Sequence, residues 1–218
     1  MSLKNDKKFA LQVFNTLKKH YPVVKPALEY SNPFQLLIST ILSAQCTDER
    51  VNIVTKTLFK KYRSPEDFVK VSSEELEKDI FSTGFYRQKA KSIKACCNEL
   101  ITNHNSKVPA DFDELVKLQG VGRKTASVVA GNAFGIPSIA VDTHVKRLSN
   151  LLGFIQSQNQ DKIEMRLKEL LPESYWINAS HWLATHGRKI CIANRPKCLE
   201  CVLADLCPSF NPQTNKKR

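Results

Sequence analysis

The chain has 218 residues, enough for one large domain or for two small ones. Its hydrophobic fraction of 42% permits an ordinary buried core, which argues against an intrinsically disordered protein. The 33 Lys and Arg residues exceed the 21 Asp and Glu residues and leave a net charge of +12. We therefore expect a polyanionic partner, nucleic acid above all, rather than a merely solvated surface.

The apolar stretches and the cysteines indicate the cellular compartment. No stretch approaches the ~20 apolar residues that span a bilayer, so no membrane association is expected. Residues 1–8 carry charges that no apolar segment follows, unlike a secretory signal. We expect a protein of the bacterial cytosol and nucleoid, a reducing compartment in which the seven cysteines serve as metal ligands or packed thiols.

Apolar residues recur at helical spacing through most of the chain and predict an all-α fold. The first helix is predicted from Phe9 to Leu17, before Pro22. A second begins after the N-cap residue Asn32, with Pro33 in its first turn. Further amphipathic helices are predicted at residues 51–62, 73–80, 87–103, 142–152, 162–170 and 176–187, with two more within residues 115–133. Only residues 136–141 could be extended, and they are too few for a sheet.

Two glycines, Gly120 and Gly122, separate the two helices predicted within residues 115–133. Both permit a positive φ and the close approach of another backbone. The helix that follows begins with Arg123 and Lys124, and its free N–H groups form an anion site that the helix dipole favours. A DNA phosphate fits this site without any base being recognised. A glycine that only caps and turns a helix has a similar pattern, whereas the glycine spacings of the P-loop and of the dinucleotide fingerprint are missing.

Lys124 and Asp142 are the candidates for catalysis. Lys124 lies in the first turn of the second hairpin helix, where the dipole and Arg123 both disfavour its charged form. A neutral amine is a nucleophile that can form a Schiff base with a carbonyl carbon. Taken singly, each residue is more commonly structural, because lysines contact phosphate and aspartates cap helices.

The two motifs together, Leu-x-Gly-Val-Gly-x-Lys at residues 118–124 and Val-Asp-Thr-His at residues 141–144, resemble the endonuclease III family of helix-hairpin-helix DNA glycosylases. One departure is Gln119, where the family usually has Pro. The resemblance implies an all-α fold of two helical domains. Residues 26–136 would form a central helical barrel that contains the hairpin at about 112–134, and residues 1–25 with 137–218 a terminal domain.

The resemblance also implies the reaction, which is that of a bifunctional glycosylase and AP lyase in base excision repair. Lys124 would attack C1′ of the damaged nucleotide, and Asp142 would stabilise the developing sugar cation and assist proton transfer. The strand would then be cleaved 3′ to the lesion by β-elimination. The expected partner of this monomer is double-stranded DNA with a damaged base, chiefly an oxidised pyrimidine, or with an abasic site, and the damaged nucleotide must first be flipped out of the duplex.

Four cysteines, Cys191, Cys198, Cys201 and Cys207, follow the spacing Cys-x6-Cys-x2-Cys-x5-Cys. Four thiolates suit either zinc or a 4Fe-4S cluster, so coordination chemistry alone leaves both open. The spacing is similar to that of the endonuclease III cluster loop at all four positions, which implies a 4Fe-4S cluster with a structural role. The remaining cysteines have no partner at ligand spacing and are expected to be small core residues: Cys46, Cys96 and Cys97.

Two loops match the family's DNA-intercalating loops. Gln45 matches a glutamine that fills the space left by the flipped nucleotide, although a surface amide is the ordinary explanation. Phe85 matches the second intercalating loop, where relatives often carry Leu. Phe85 could stack between bases or be a core aromatic beside a turn. Residues 192–197 between the first two cluster cysteines carry two cations within reach of phosphate. The expected DNA contacts are Gln45, Phe85, Gly120, Gly122, Arg123, Arg195 and Lys197.

Three alternatives are disfavoured. A mismatch adenine glycosylase of the same superfamily lacks the hairpin lysine and uses a carboxylate in the helix before the Gln45 loop, but residues 34–47 contain neither Asp nor Glu. A non-catalytic DNA-binding module would explain the hairpin but neither Asp142 nor the cysteine loop. An electron carrier would require neither the basic excess nor the hairpin.

Overall fold

The computed structural model describes residues 7–211. The segments outside it are residues 1–6, which include most of the stretch compared with a secretory signal, and residues 212–218 of the polar C-terminal tail. The described chain contains α-helices and short 3-10 turns but no strand, which confirms the all-α prediction. None of the helices in this part of the chain is both long and apolar enough to cross a membrane.

Every helix predicted from apolar periodicity is present, with bounds that agree to within three residues. The helices are α1 (Lys7–His20), α2 (Pro33–Leu42), α3 (Asp48–Lys61), α4 (Pro65–Lys70), α5 (Ser73–Ile80), α6 (Tyr86–His104), α7 (Phe112–Lys117), α8 (Arg123–Phe134), α9 (Thr143–Leu151), α10 (Gln160–Leu170) and α11 (Trp176–Lys189). The predicted cap of α2 is formed, because the Asn32 side chain accepts a hydrogen bond from the Gln35 N–H at 2.9 Å.

Helix α4 was not predicted, because its six residues are too few to show apolar periodicity. Local hydrogen bonds define it instead. The Asp67 carboxylate accepts the backbone N–H groups of Ser64 at 3.1 Å and of Arg63 at 2.8 Å, and Pro65 occupies the first turn. This arrangement is a capping box, which satisfies donors that a helix start leaves unpaired.

The chain divides into two compact units, Pro26–Ile136 and Met1–Lys25 with Pro137–Arg218. The first unit contains α2 to α8 and has its own core, in which Leu36, Phe68 and Ile93 are fully buried. The second contains α1 and α9 to α11. Its core is built around Phe14 and Phe154, whose stacked rings have centroids 5.8 Å apart.

Candidate functional site

The turn between α7 and α8 is held against the core of its unit by buried Leu118 and Val121. Gly120 has φ +80°, and a Cβ there would lie 2.8 Å from the Ser92 Cβ on α6. This position therefore requires glycine for both its backbone conformation and its packing. Gly122 differs from the expectation: its φ is −88°, which any residue adopts, so its lack of a side chain serves something other than backbone conformation.

Helix α8 begins at an open N-terminus. Gly122 is its N-cap and has no side chain to cap the first N–H groups. Apart from Gly122 itself and its two neighbours in the sequence, no atom of the described chain lies within 4 Å of where its Cβ would be. The first turn of α8 contains Arg123 and Lys124 but no acidic residue. Arg123 is exposed and its guanidinium lies over the Phe112 ring, 5.2 Å from the centroid, whereas Lys124 is half-buried. The arrangement is suited to an anion.

Asp142 is the N-cap of α9, and its Oδ1 accepts a hydrogen bond from the Val145 N–H at 2.7 Å. The preceding segment is extended without belonging to a sheet. Ile139 and Val141 are buried, and the Ala140 N–H donates to the Ser180 Oγ at 2.9 Å. These contacts position Asp142, which is half-buried, at a fixed point of the unit that also contains the cysteine loop. Lys124 belongs to the other unit.

His181 on α11 is a neighbour of Asp142 that the sequence analysis missed. Burial lowers the pKa of His181, Arg188 lowers it further, and the Asp142 carboxylate opposes both effects. The imidazole therefore lies within the electrostatic reach of Asp142. No sequence pattern indicates this role, since a lone histidine on an amphipathic helix is most often an ordinary packed residue.

The two predicted intercalating loops share an unusual backbone conformation. Gln45, after α2, has φ +52°, and Phe85, before α6, has φ +48°. Such left-handed conformations cost about 1–2 kcal/mol in residues other than glycine. Both side chains are exposed, that of Phe85 to 64%, which excludes the alternative of a core aromatic. A second aromatic beside this loop, Phe81, is 62% exposed and was not predicted.

A buried lysine connects these two loops. Lys89 on α6 is only 5% exposed, and its Nζ donates to the Leu42 carbonyl and to the Thr83 carbonyl, both at 2.8 Å. Burial lowers the pKa of Lys89, and the nearby Cys46 opposes that effect. The sequence could not reveal this contact, because a lysine in an amphipathic helix is ordinarily assigned to the solvent face.

The four cysteines of the C-terminal loop line one cavity of about 260 Å³. Burial raises the pKa values of Cys201 and Cys207, and Cys191 and Cys198 raise both further, while hydrogen bonds from the backbone of Leu203 and Ser209 respectively oppose these effects. The four thiols therefore share one cavity, in which the charge of one thiolate disfavours ionisation of the others. Within residues 7–211 no three His, Cys, Asp or Glu side chains converge on a single metal-ion position.

N–H donors surround two of these sulfurs. The Arg147 Nη1 lies 3.4 Å from the Cys191 Sγ, and the Leu203 N–H donates to the Cys201 Sγ at 3.4 Å. The His186 Nε2 lies 3.3 Å from the Cys201 Sγ, while its Nδ1 lies 3.1 Å from the Tyr21 hydroxyl. Burial lowers the pKa of His186 to about 4, so the ring is neutral near neutral pH. The tautomer with its proton on Nε2 satisfies both contacts, because Nε2 then donates to the Cys201 Sγ and Nδ1 accepts from the Tyr21 hydroxyl.

These donors and the shared cavity fit a thiolate-bound metal group, because N–H bonds to ligand sulfurs stabilise their negative charge. The loop between the first two cysteines is closed by the Lys197 N–H, which donates to the Ile190 carbonyl at 2.9 Å. Its two predicted DNA contacts, Arg195 and Lys197, are exposed, and the Lys197 Nζ lies 3.8 Å from the Glu200 carboxylate. The other three cysteines differ in burial: Cys96 and Cys97 are buried in the core as predicted, whereas Cys46 is half-buried beside Gln45.

Comparisons with known proteins agree on one family. The profile of the "HhH-GPD superfamily base excision DNA repair protein" matches residues 38–173. The chain is 49% identical over 188 residues to the endonuclease III of Bacillus subtilis, covering 86% of each chain. It is 47% identical over 204 residues to the endonuclease III of a Synechocystis strain, covering 93% of each chain. It is 40% identical over 197 residues to the endonuclease III of Escherichia coli K12, covering 90% of this chain and 93% of the relative.

Solved structures give the same result. A trapped covalent intermediate of endonuclease III with DNA, described as an estranged-adenine complex, superimposes with a TM-score of 0.91 at 46% identity, covering 94% of this chain and 96% of that one. A thermostable thymine-DNA glycosylase superimposes with a TM-score of 0.83 at 25% identity, covering 93% and 97%.

Proposed function

We propose that this chain, which belongs to the endonuclease III family within the HhH-GPD superfamily of base excision DNA repair proteins, removes oxidised pyrimidines from duplex DNA. The family membership makes it a DNA glycosylase and AP lyase. The oxidised pyrimidine is our proposal from the family resemblance. The observation that carries the rest is Lys124, a half-buried amine in the first turn of α8, at a helix N-terminus that Gly122 leaves uncapped.

In the proposed reaction, the Lys124 Nζ attacks C1′ of the damaged nucleotide. The glycosidic C–N bond breaks, and its electron pair leaves with the base. Opening of the sugar ring gives an imine between Nζ and C1′, which makes the C2′ protons acidic. Loss of one such proton expels the 3′ phosphate by β-elimination, and hydrolysis of the imine releases the lysine.

Asp142 is proposed to stabilise the positive charge that develops on the sugar as the base departs. Its Oδ1 is fixed by the Val145 N–H at 2.7 Å, so one lone pair is used by the helix cap and the carboxylate retains others for the substrate. A carboxylate fixed by its own helix needs little reorganisation when charge develops, which is what electrostatic catalysis requires.

The proposed DNA contacts separate into three kinds. Gly122 and Arg123 lie at the start of α8, where the N–H groups suit a phosphate and the absent side chain lets it approach closely. Gln45 and Phe85 are proposed to enter the opened base stack, which requires exposed side chains such as these. The cations proposed to contact backbone phosphate from the cysteine loop are Arg195 and Lys197.

We further propose that Cys191, Cys198, Cys201 and Cys207 hold a 4Fe-4S cluster. When bound, the cluster would cross-link the loop through four thiolates and so fix the two cations between the first two cysteines. Arg147, His186 and the Leu203 N–H would stabilise the ligand charge. Protein purified from iron-replete cells should contain about four irons per chain, whereas stoichiometric zinc would contradict the assignment.

The substrate is tested with duplex DNA that contains one thymine glycol. The protein should release the oxidised base and cleave only the lesion-containing strand, leaving the unsaturated aldehyde end of β-elimination. The same duplex with thymine in place of thymine glycol is the control and should remain intact. An unchanged thymine glycol strand, in protein that still cleaves a preformed abasic site, would contradict the proposed lesion class. We propose that the protein acts as a monomer in the bacterial cytosol, where the chromosome lies.

A further inference from the structure

Lys89 occupies a position that the catalytic proposal leaves unused. It lies on α6 among buried apolar residues and is only 5% exposed. Its Nζ donates to two main-chain carbonyls, those of Leu42 and Thr83, each at 2.8 Å. A buried ammonium is costly unless such hydrogen bonds satisfy it, so these two acceptors are required wherever Lys89 is charged.

The two acceptors are the points from which the proposed intercalating loops depart. Leu42 is the last residue of α2, and the chain then turns through Gln45, at φ +52°. Thr83 ends a 3-10 turn, and the chain then passes Gly84 to Phe85, at φ +48°. Lys89 thus joins, through hydrogen bonds, the residues that precede two loops far apart in the sequence.

Because one ammonium binds both carbonyls, its hydrogen bonds limit how the two loops move with respect to each other. Each tip residue is held in a backbone conformation that is unfavourable without support from its surroundings. The Thr83 hydroxyl adds to this support, since it donates to the Ile80 carbonyl at 2.8 Å. The positive charge of Lys89 is also favourable at the C-terminus of α2, where helix carbonyls lack partners.

We propose that Lys89 is a positioning residue for base extrusion: by holding the Leu42 and Thr83 carbonyls together, it keeps Gln45 and Phe85 at the spacing needed to replace a nucleotide in the stack. The inference rests on the proposed function. It assigns to Lys89 no contact with DNA and no part in bond breaking. Its contribution should therefore be confined to the steps that open the duplex, before Lys124 reacts.

The same helix offers a matched control. Lys94, also on α6, donates from its Nζ to the carbonyls of Val69, at 2.9 Å, and of Phe68, at 3.3 Å, with Val71 as a further acceptor. It therefore caps the C-terminus of α4 in the way that Lys89 caps α2 but contacts neither proposed intercalating loop. Lys94 is half-buried, and it represents a lysine whose capping role is structural alone.

The test compares Lys89→Met with Lys94→Met under single-turnover conditions. Methionine keeps the length of the side chain and removes the donors. For Lys89→Met, excision of thymine glycol should fall about tenfold or more, the effect of losing a charged hydrogen bond, while β-elimination at a preformed abasic site changes less than about twofold. The fluorescence rise of 2-aminopurine beside the lesion, which reports unstacking, should slow to the same extent as excision. Lys94→Met should lower the melting temperature but leave the excision-to-elimination ratio unchanged.

A Lys89→Met variant that keeps the wild-type ratio and the wild-type unstacking rate overturns the proposal, as does a Lys94→Met variant with the same shift. If Lys89→Met does not fold, the ratio is measured with Lys89→Gln, which keeps a donor but not the reach to both carbonyls, and an unaltered ratio there is equally contradictory. Wild-type protein that cleaves neither thymine glycol nor abasic DNA would contradict the proposed function instead, so the two failures are distinguishable.

Discussion

A single carboxylate, that of Asp142, is both a structural cap and the proposed electrostatic group. The cap is visible, because the Oδ1 accepts the Val145 N–H at 2.7 Å. The catalytic role depends on negative charge, which capping does not need, since neutral Asn caps helices as well as Asp does. The two roles can therefore be separated by a substitution that keeps the oxygen and removes the charge.

Asp142→Asn should retain the fold and the affinity for damaged duplex, while base excision falls roughly a hundredfold or more, because an electrostatic contact made in the transition state is lost. Asp142→Ala should in addition cost about 1 kcal/mol of stability through the lost cap. The measurements are single-turnover excision, DNA affinity and thermal melting.

Asp111 is the matched control for this experiment. It caps α7 in the same way, accepting the Glu114 N–H at 3.0 Å, and no catalytic role is proposed for it. Asp111→Asn should leave excision unchanged. An Asp142→Asn variant that unfolds, or that excises like Asp111→Asn, would reduce Asp142 to an ordinary cap.

Residue-scale features differ in how well the sequence predicts them. The N-cap of Asp142 was predictable, because a capping side chain and its N–H partner are near neighbours in the chain. The positive φ values of Gln45 and Phe85 were not, since tertiary contacts sustain a conformation that the residue type itself disfavours. The burial of Lys89 was equally inaccessible, because both of its acceptors come from other elements.

The two glycines of the α7–α8 hairpin have different roles. Gly120 is needed by the fold, with φ +80° and the Ser92 Cβ 2.8 Å from a Cβ placed there. Gly122 has an ordinary φ of −88° and space around it, so we assign it to the close approach of phosphate.

Gly120→Ala should therefore destabilise the protein by about 1–3 kcal/mol. Gly122→Ala should cost less than about 1 kcal/mol of stability but weaken binding to damaged and undamaged duplex alike, by about tenfold, because the methyl group holds the phosphate away. Melting curves and binding isotherms measured on both variants provide the comparison. Equal destabilisation by the two substitutions, or undiminished DNA affinity of Gly122→Ala, would remove the distinction.

Helix prediction succeeded where the helices are long and amphipathic, such as α6 and α11, because their apolar faces repeat over several turns. It failed for α4, which owes its existence to the Asp67 capping contacts rather than to periodicity. The cysteine loop lies between these extremes. Its four candidate ligands were evident from spacing, but the donors beside them, Arg147 on α9 and His186 on α11, were not, because neither residue is part of the spacing pattern.

The net charge of +12, summed over the whole molecule, favours a polyanionic partner but does not indicate where that partner binds. Arg195 and Lys197 are the proposed phosphate contacts in the terminal unit, and Glu200 lies near Lys197 at 3.8 Å. Replacing both cations by Ala should weaken binding to damaged and undamaged duplex equally and lower the slope of log affinity against log salt by roughly one per lost contact. A loss confined to damaged DNA, or an unchanged slope, would show that the two cations do not contact phosphate.

Lys124 is the proposed nucleophile, and borohydride trapping examines this role without relying on any other residue. Wild-type protein incubated with abasic or thymine glycol duplex and borohydride should form a covalent adduct, with the DNA remnant on the peptide that contains Lys124. Lys124→Gln should form none. Lys117→Gln, which removes an exposed lysine of α7 paired with Glu114 at 2.6 Å, should form the adduct at the wild-type rate. An adduct formed by Lys124→Gln at that same rate would show that Lys124 is not the nucleophile.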